Sequence, residues 1–388
     1  MAGSLDASVL GRPDGGTAPA LPGIASWLGL LLVLVISLNS LGGWVRLSGS
    51  GVAIPSWPAI PLGEGRWTLW PPLSAAGWEQ VQSAYEADQI RLRQRVEAGE
   101  LRAGNLGYQA QEPGEFRRLF LTEWSHRLLA AIVGLITAGC LTAVLRSAEL
   151  RQRIGLPLGL AAGLIVLQAV IGGVLVREGT STNWLFLHQG NAGAIVACLV
   201  WASLRLVASA VPAPDAGIRA RRRWAEVAAL GAIVVCWSQM ILGALLAGSR
   251  HGQPFATDFP TLFGQWLPTL WDSGRTVAAN ILDFSVLHQF VHRWLACALV
   301  AACVTAWWLA VRAGAGERVR LAYAVGGTFL GIAGVLGLGN VVLGSPTGDV
   351  PPAVALAHQL SATCLLACLT MGWFWLRHEG DARKEANS

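Results

Sequence analysis

The chain has 388 residues, 53% of them hydrophobic and 13% charged, with a formal net charge of +5. A soluble domain carries about 25% charged residues, so this composition excludes a soluble globular enzyme and a disordered chain. Lysine is nearly absent (Lys384 alone), so the basic excess lies in arginines, whose positions decide what it means.

Residues 1–23 are rich in Gly, Pro and Ala and predict a disordered tail. They lack the charged start and cleavage site of a signal peptide, so the first apolar run is expected to remain as an uncleaved helix. A membrane span needs about 20 mostly apolar residues. Such runs are Ile24–Val45, Glu123–Leu145, Gly155–Val176, Trp184–Leu204, Val227–Ser249, Phe284–Val311, Leu321–Gly348 and Val350–Leu376. The prediction is an all-α membrane protein with eight transmembrane helices. Loop 1–2, roughly 46–120, carries Trp78, Val81, Tyr85, Leu92 and Val96 at helical spacing, with Glu79, Glu86, Arg93 and Glu97 on the other face. That predicts an amphipathic helix on the outer membrane surface or capping the bundle. Loop 5–6, roughly 250–283, is rich in Pro, Phe and Trp. All seven cysteines fall in apolar runs, so neither a disulfide framework nor a zinc site is expected.

The arginines orient the bundle. Arg146, Arg151 and Arg153 follow span 2; Arg219, Arg221, Arg222 and Arg223 follow span 4; Arg312, Arg318 and Arg320 follow span 6. The short opposite loops hold only Arg177. The positive-inside rule places both termini in the cytoplasm. The charge is then topological, and no nucleic-acid partner is expected.

The chain repeats itself after four spans. Glu123-Trp-Ser-His126-Arg127 on span 2 matches Gln289-Phe-Val-His292-Arg293 on span 6. His188-Gln189, then Ala192, on span 4 matches His358-Gln359, then Ala362, on span 8. The two histidines of a half are 62 residues apart in one case and 66 in the other. An even number of spans per copy predicts two parallel four-helix-bundle repeats about an axis along the membrane normal. The halves are 24–208 and 225–376, joined by a cytoplasmic linker, 209–224, and followed by a cytoplasmic tail, 377–388.

Ionisable residues inside a membrane are costly and mark functional sites. A single histidine there is often just hydrogen-bonded to a carbonyl; four at matching positions ask for a shared purpose. Zinc wants one tetrahedron, which two separated repeats do not offer. Proton relays mix histidine with carboxylates, and only Glu123 lies here. Haem suits two histidines facing across a planar apolar ring, and Gly190, Gly193, Ser361 and Ala362 leave room beside the ligands. One haem per half is expected. Glu123 lies one turn from His126 on the same face, while the other half has Gln289, which predicts a division of labour: chemistry at the first site, haem holding or electron transfer at the second. Arg127 and Arg293 are expected to meet haem propionates or to snorkel to the interface. His288, four residues before His292, is expected beside the ligand or on the propionate side. Arg46, Gln189 and Gln359 complete the candidates near the haems. His251 and His378 receive no role.

These residues resemble a known family. Glu115-Phe116, Phe120, Glu123-Trp124 and His126-Arg127 together resemble the second-span signature of haem A synthases. Arg46-Leu-Ser, Ser50-Gly51 and Trp57 are similar to the start of that family's first outer loop. Asp258-Phe259-Pro260 and Leu262-Phe263-Gly264, with Trp266 and Pro268, resemble its second. Asn280, Gln289 to Arg293 and His358-Gln359 fit its sixth and last spans. The likeness covers roughly 35–376. It implies an oxidoreductase of the bacterial cytoplasmic (inner) membrane, active toward the outer side, that oxidises the C8 methyl of haem O to a formyl group through successive hydroxylations, giving haem A for terminal oxidases. It implies Glu123 as catalytic residue, His126 and His188 as ligands of the substrate haem, and His292 and His358 as ligands of a permanent haem b. The implied partners are haem O, membrane lipid, an electron acceptor, a haem O synthase and cytochrome oxidase assembly factors; a homo-oligomer is compatible. The chain departs from some members in lacking a cysteine pair in the first outer loop. The rival readings are a non-catalytic dihaem b electron carrier, a haem-binding assembly factor and a transporter. Carriers often put two ligands on each helix, whereas here each even-numbered span has one principal ligand.

Overall fold

The computed structural model describes residues 20–62, 66–100, 112–178, 182–208, 216–249 and 254–378. Residues 1–19 of the expected tail, 209–215 of the linker, His251 and 379–388 lie outside these. The helices are α1 (Ala20–Leu47), α2 (Ala75–Glu97), α3 (Pro113–Arg146), α4 (Ala148–Arg177), α5 (Thr182–Ala208), α6 (Ala216–Ser249), α7 (Val277–Asp283), α8 (Ser285–Arg312), α9 (Glu317–Val342) and α10 (Pro352–His378). A two-stranded antiparallel hairpin, β1 (Ile60–Pro61) and β2 (Trp67–Thr68), interrupts the first outer loop. Among the described residues eight helices, all but α2 and α7, are long and apolar enough to cross a membrane. The chain is an all-α, multi-pass membrane protein.

Helix α1 packs on α3 and α5, α3 on α4, and α4 on α5. Likewise α6 packs on α8 and α10, α8 on α9, and α9 on α10. Between these two groups α5 meets α6 and α10, and α1 meets α10. The first group closes on large side chains: Leu28, Leu31, Ile154, Leu158 and Leu199. The second closes largely on small ones, Ala229, Ala232, Ala306 and Ala310, with Leu365 and Phe374.

Several elements differ from the sequence expectation; helices α4 and α6, for example, begin at Ala148 and Ala216, ahead of the expected Gly155 and Val227. Helix α3 begins at Pro113, ten residues before Glu123. Proline is well placed in a first turn, where its missing N–H costs nothing. The helix has 34 residues, about 51 Å, against a hydrocarbon core of about 30 Å, so it carries on beyond the apolar run. Its extension buries Phe116 and Phe120 against Trp78, Val81 and Tyr85 of α2, with Tyr85 and Phe116 ring centres 5.0 Å apart. The amphipathic helix thus packs on the protein, with Glu79, Glu86 and Arg93 exposed. Helix α7, in the second outer loop, is too short for a periodic signal; the Thr276 hydroxyl caps it by accepting from the Ala279 N–H. Helix α9 stops at Val342, short of Gly348, where a turn bonds the Ser345 N–H to the Asp349 carbonyl.

On the face opposite the long loops, Arg222 is wholly buried. It donates to the carbonyls of Gly314 (2.9 Å) and Leu376 (3.3 Å). One member of the arginine run therefore ties α6 to the end of α10 and to the turn after α8.

Candidate functional site

Helices α3, α5, α8 and α10 carry His126, His188, His292 and His358. Each ring rests on a glycine of another span. A Cβ at Gly42 would lie 3.1 Å from Nε2 of His126, and one at Gly172 would lie 3.4 Å from Cε1 of His188. A Cβ at Gly243 would lie 3.2 Å from Cε1 of His292, and one at Gly337 would lie 3.1 Å from Cε1 of His358. At three of these places even a methyl group would press on the ring, because interiors are close-packed. The glycines come from α1, α4, α6 and α9, the span before each histidine helix. Sequence reasoning missed them, although Gly42 with Gly243 and Gly172 with Gly337 hold corresponding places in the two halves.

The His292 and His358 ring centres are 6.3 Å apart, their planes at 70°. A metal–imidazole bond is about 2 Å and a ring nitrogen lies about 1.2 Å from the ring centre, so two rings gripping one metal from opposite sides have centres about 6.4 Å apart. The spacing fits a metal between them. His358 Nδ1 donates to the Ala333 carbonyl at 2.8 Å, which leaves Nε2 free to ligate. The Gln239 amide donates to the His292 carbonyl at 2.9 Å and lies 3.3 Å from His292 Nε2. His292 Nδ1 is buried without a partner among the described residues.

In the first half, His126 lies within electrostatic reach of His188. Nδ1 of His188 is buried without a partner among the described residues. The His188 carbonyl accepts from Gln168 Nε2 (3.1 Å), and Asn191 Nδ2 donates to Gln168 Oε1 (2.6 Å) and the Leu164 carbonyl (2.8 Å). Among the described residues no three His, Cys, Asp or Glu side chains gather as a metal site; the histidines stand as pairs. Paired rings seated on glycines, with buried nitrogens unpartnered, fit haem.

Glu123 is buried and accepts from Arg127 Nε at 2.7 Å. The rest of the Arg127 guanidinium donates to the carbonyls of Ser56 (2.5 Å) and Ile54 (2.8 Å), pinning the first outer loop. Arg293 does the same for the second, donating to Ala256 (2.7 Å), Asp258 (2.6 Å) and Thr261 (2.8 Å). In both loops two of the pinned carbonyls, Ile54 and Ser56 or Ala256 and Asp258, are two residues apart, and a cis Xaa-Pro bond follows them (Trp57-Pro58, Phe259-Pro260). The two arginines, expected at propionates or the interface, are engaged by loop backbone, a concave ring of carbonyls that sequence alone does not display. Gln289, matching Glu123, also holds its loop: Oε1 accepts from the Ala256 N–H (2.8 Å) and Nε2 donates to the Pro254 carbonyl (3.0 Å). Glu123 makes no such bond among the described residues.

Asp258 braces the second loop. It accepts from Thr261 Oγ1 (2.6 Å) and from the N–H groups of Phe263 and Gly264 (both 2.9 Å). These last two residues have φ of 52° and 74°, a region that a phenylalanine enters only with local support. Burial works against ionisation, but the Thr261, Gly264 and Phe263 bonds outweigh it and hold the carboxyl at about 2.

The other candidates have structural partners. Arg46 donates to the Ala247 carbonyl at 2.7 Å, joining α1 to α6. Gln359 donates to the Asn39 carbonyl (3.0 Å) and lies 3.5 Å from Gln189 Oε1, so the two matching glutamines meet at the seam between the helix groups. His288 is buried and bonds the Ile281 carbonyl at 2.8 Å, fastening α7 to α8. Buried Asn280 brackets Asp272, accepting from its N–H and donating to its carbonyl. His378, at the opposite end of α10, stacks on Phe374.

The sequence profile of the COX15-CtaA family, described as cytochrome oxidase assembly protein, matches residues 25–370. Heme A synthase of Paracoccus denitrificans is 30% identical over 378 residues, covering 92% of this chain and 89% of the relative. Heme A synthase of Rhizorhabdus wittichii is 32% identical over 388 residues, covering 97% and 99%, and that of Rhodopseudomonas palustris 31% over 391, covering 95% and 96%. With this profile running through both histidine pairs, the chain belongs to the COX15-CtaA family of cytochrome oxidase assembly proteins.

Proposed function

We propose that this chain is a haem A synthase: it oxidises the C8 methyl of haem O to a formyl group by successive hydroxylations. The name its relatives carry supports the activity. The observation that carries the assignment of roles is the inequality of two otherwise matching sites. Gln289 uses both amide atoms on its loop, whereas Glu123 is a buried carboxylate one turn from His126, bonded among the described residues only to Arg127. The first half then holds the substrate haem on His126 and His188. The second holds a permanent haem b on His292 and His358.

The bound macrocycle supplies delocalisation for positive charge developing at the methyl carbon. His126 and His188 fix the ring's place relative to Glu123. The Glu123 carboxylate stabilises that charge or takes a proton, and burial strengthens both effects. Arg127 holds the carboxylate through Nε while clamping the loop over the site. Haem O is expected from a haem O synthase, haem A passes to oxidase assembly, and electrons leave to an acceptor.

Orientation follows from the arginines. We place the long loops outside and both termini in the cytoplasm, with the halves as parallel repeats. Single cysteines placed in the 46–120 loop should label in intact cells, and one in the 4–5 loop should not; the reverse pattern would overturn the orientation. For activity, the chain is coexpressed with a haem O synthase and the extracted haems are mass-analysed. Haem A above the background without the chain is expected; haem O alone would sink the proposal.

A further inference from the structure

The halves differ at one further exchange beside the ligands. Four residues before the glycine under each α5 or α10 histidine stand Gln168 and Ala333; three residues after each histidine stand Asn191 and Ser361. In the second half nothing large intervenes. The His358 ring donates directly to the Ala333 carbonyl, and Ser361 turns back to the Ala357 carbonyl of its own helix. In the first half an amide pair fills the space. Asn191 holds Gln168, Gln168 holds the His188 backbone carbonyl, and the ring is left with a buried, unpartnered Nδ1. The amides fasten the helix, and the ring goes without its acceptor.

A bond from Nδ1–H to a carbonyl fixes the tautomer and orientation of an imidazole and makes its Nε2 a stronger metal donor; such partners are worth about 10–100-fold in metal affinity. We infer that the Gln168–Asn191 pair makes the first half the haem-releasing site, and that the Ala333 carbonyl makes the second the retaining one. The inference rests on the proposed pair of haem sites and deepens it: among the described residues neither ring of the first half donates to a carbonyl, whereas in the second half the His358 ring does and the His292 ring alone does not. Gln168 and Asn191 are positioning residues.

The test uses the full chain loaded with haem B in both halves, with transfer to excess apomyoglobin followed in the Soret band. Two phases are expected, the fast one absent in His188→Ala and the slow one absent in His358→Ala. Transplanting the amides, Ala333→Gln with Ser361→Asn, should speed the slow phase about tenfold or more and raise the midpoint potential of that haem. The reciprocal Gln168→Ala with Asn191→Ser should slow the fast phase. A merely structural role would not slow release. If the transplant holds no haem, the reciprocal variant decides. Two bound haems leaving at one rate, or phases unmoved by the exchange, would overturn this inference alone. A chain that binds haem at neither pair would overturn the two-site reading itself.

Discussion

The outer loops of the two halves are clamped alike, by an arginine directly after a histidine and by carbonyls two residues apart. Each histidine ring rests on a glycine of another helix in both halves. What differs is small in atoms and large in chemistry. Glu123 faces Gln289, an acid against an amide of nearly the same shape. The Gln168–Asn191 pair faces Ala333 and Ser361. Ser56, bonded to the Ala59 carbonyl, faces Asp258. On the proposed two-site reading, a common frame sets the position of a large apolar ring, and a few polar exchanges decide whether the ring is acted on or kept.

The widest difference is at Glu123. Glu123→Gln copies the second half into the first while keeping shape and ligands. Haem A output should fall by about 10²–10⁴, the usual contribution of a positioned acid–base group, with haem O accumulating and both haem sites still filled. The measurement is haem extraction from cells that also make haem O. Near-normal output would reduce Glu123 to a structural partner of Arg127.

Next come the proposed haem ligands of the second half. His292→Ala or His358→Ala should each lose the resident haem while the first half keeps its own, as read by haem-to-protein ratio. His288→Ala should do less, since its ring reaches the Ile281 carbonyl. Unchanged haem content in both ligand variants would end the assignment.

The clamps test whether the frame is shared. Arg293→Met strips donors from three carbonyls. Leaving buried acceptors unpaired costs about 1–3 kcal/mol each where water cannot reach them, so a loss of about 2–4 kcal/mol is expected in thermal or denaturant unfolding. Arg127→Met should cost a similar amount and also leave Glu123 without its ion pair. A neutral outcome in both would mean the loops are held by packing alone.

Much of this was legible in the chain. The eight spans follow from long apolar runs, and the histidines stand out because imidazole is costly in lipid. The start of α3 was not legible, because Glu115, Arg117 and Arg118 end the apolar run while the helix continues, supported by α2. Helix α7 and the β1–β2 hairpin are too short to show a period. Gln168, Asn191 and Gln239 escaped because each is a single uncharged, non-titrating residue inside an apolar run, and its partner is a backbone carbonyl on another helix. The glycine seats escaped for a related reason: what they admit is a ring from a different span. The arginines were expected at propionates or the interface, and their carbonyl partners exist only once the loops have closed.

The smallest effect expected concerns acid. Asp258 sits at about 2 when folded, below its usual 3.8, because Thr261, Gly264 and Phe263 donate to its charged form. A carboxyl lowered on folding stabilises the folded loop above its ordinary range, and that stability is lost as pH falls from about 3.8 through about 2. The matching Ser56 does not titrate, so acid should loosen one loop and spare the other. Hydrogen exchange of the chain in nanodiscs, corrected for intrinsic rates, should show residues 254–268 losing protection between pH 5 and pH 2.5, with 50–60 unchanged. The loss should be at most about tenfold, one unit's worth, because the group is partly exposed and solvent screens it. Asp258→Asn should remove the pH dependence, since the amide keeps an acceptor but no titrating charge. If both loops loosen together, or Asp258→Asn still responds to acid, the brace lies elsewhere, and the two loops are alike in this respect as well.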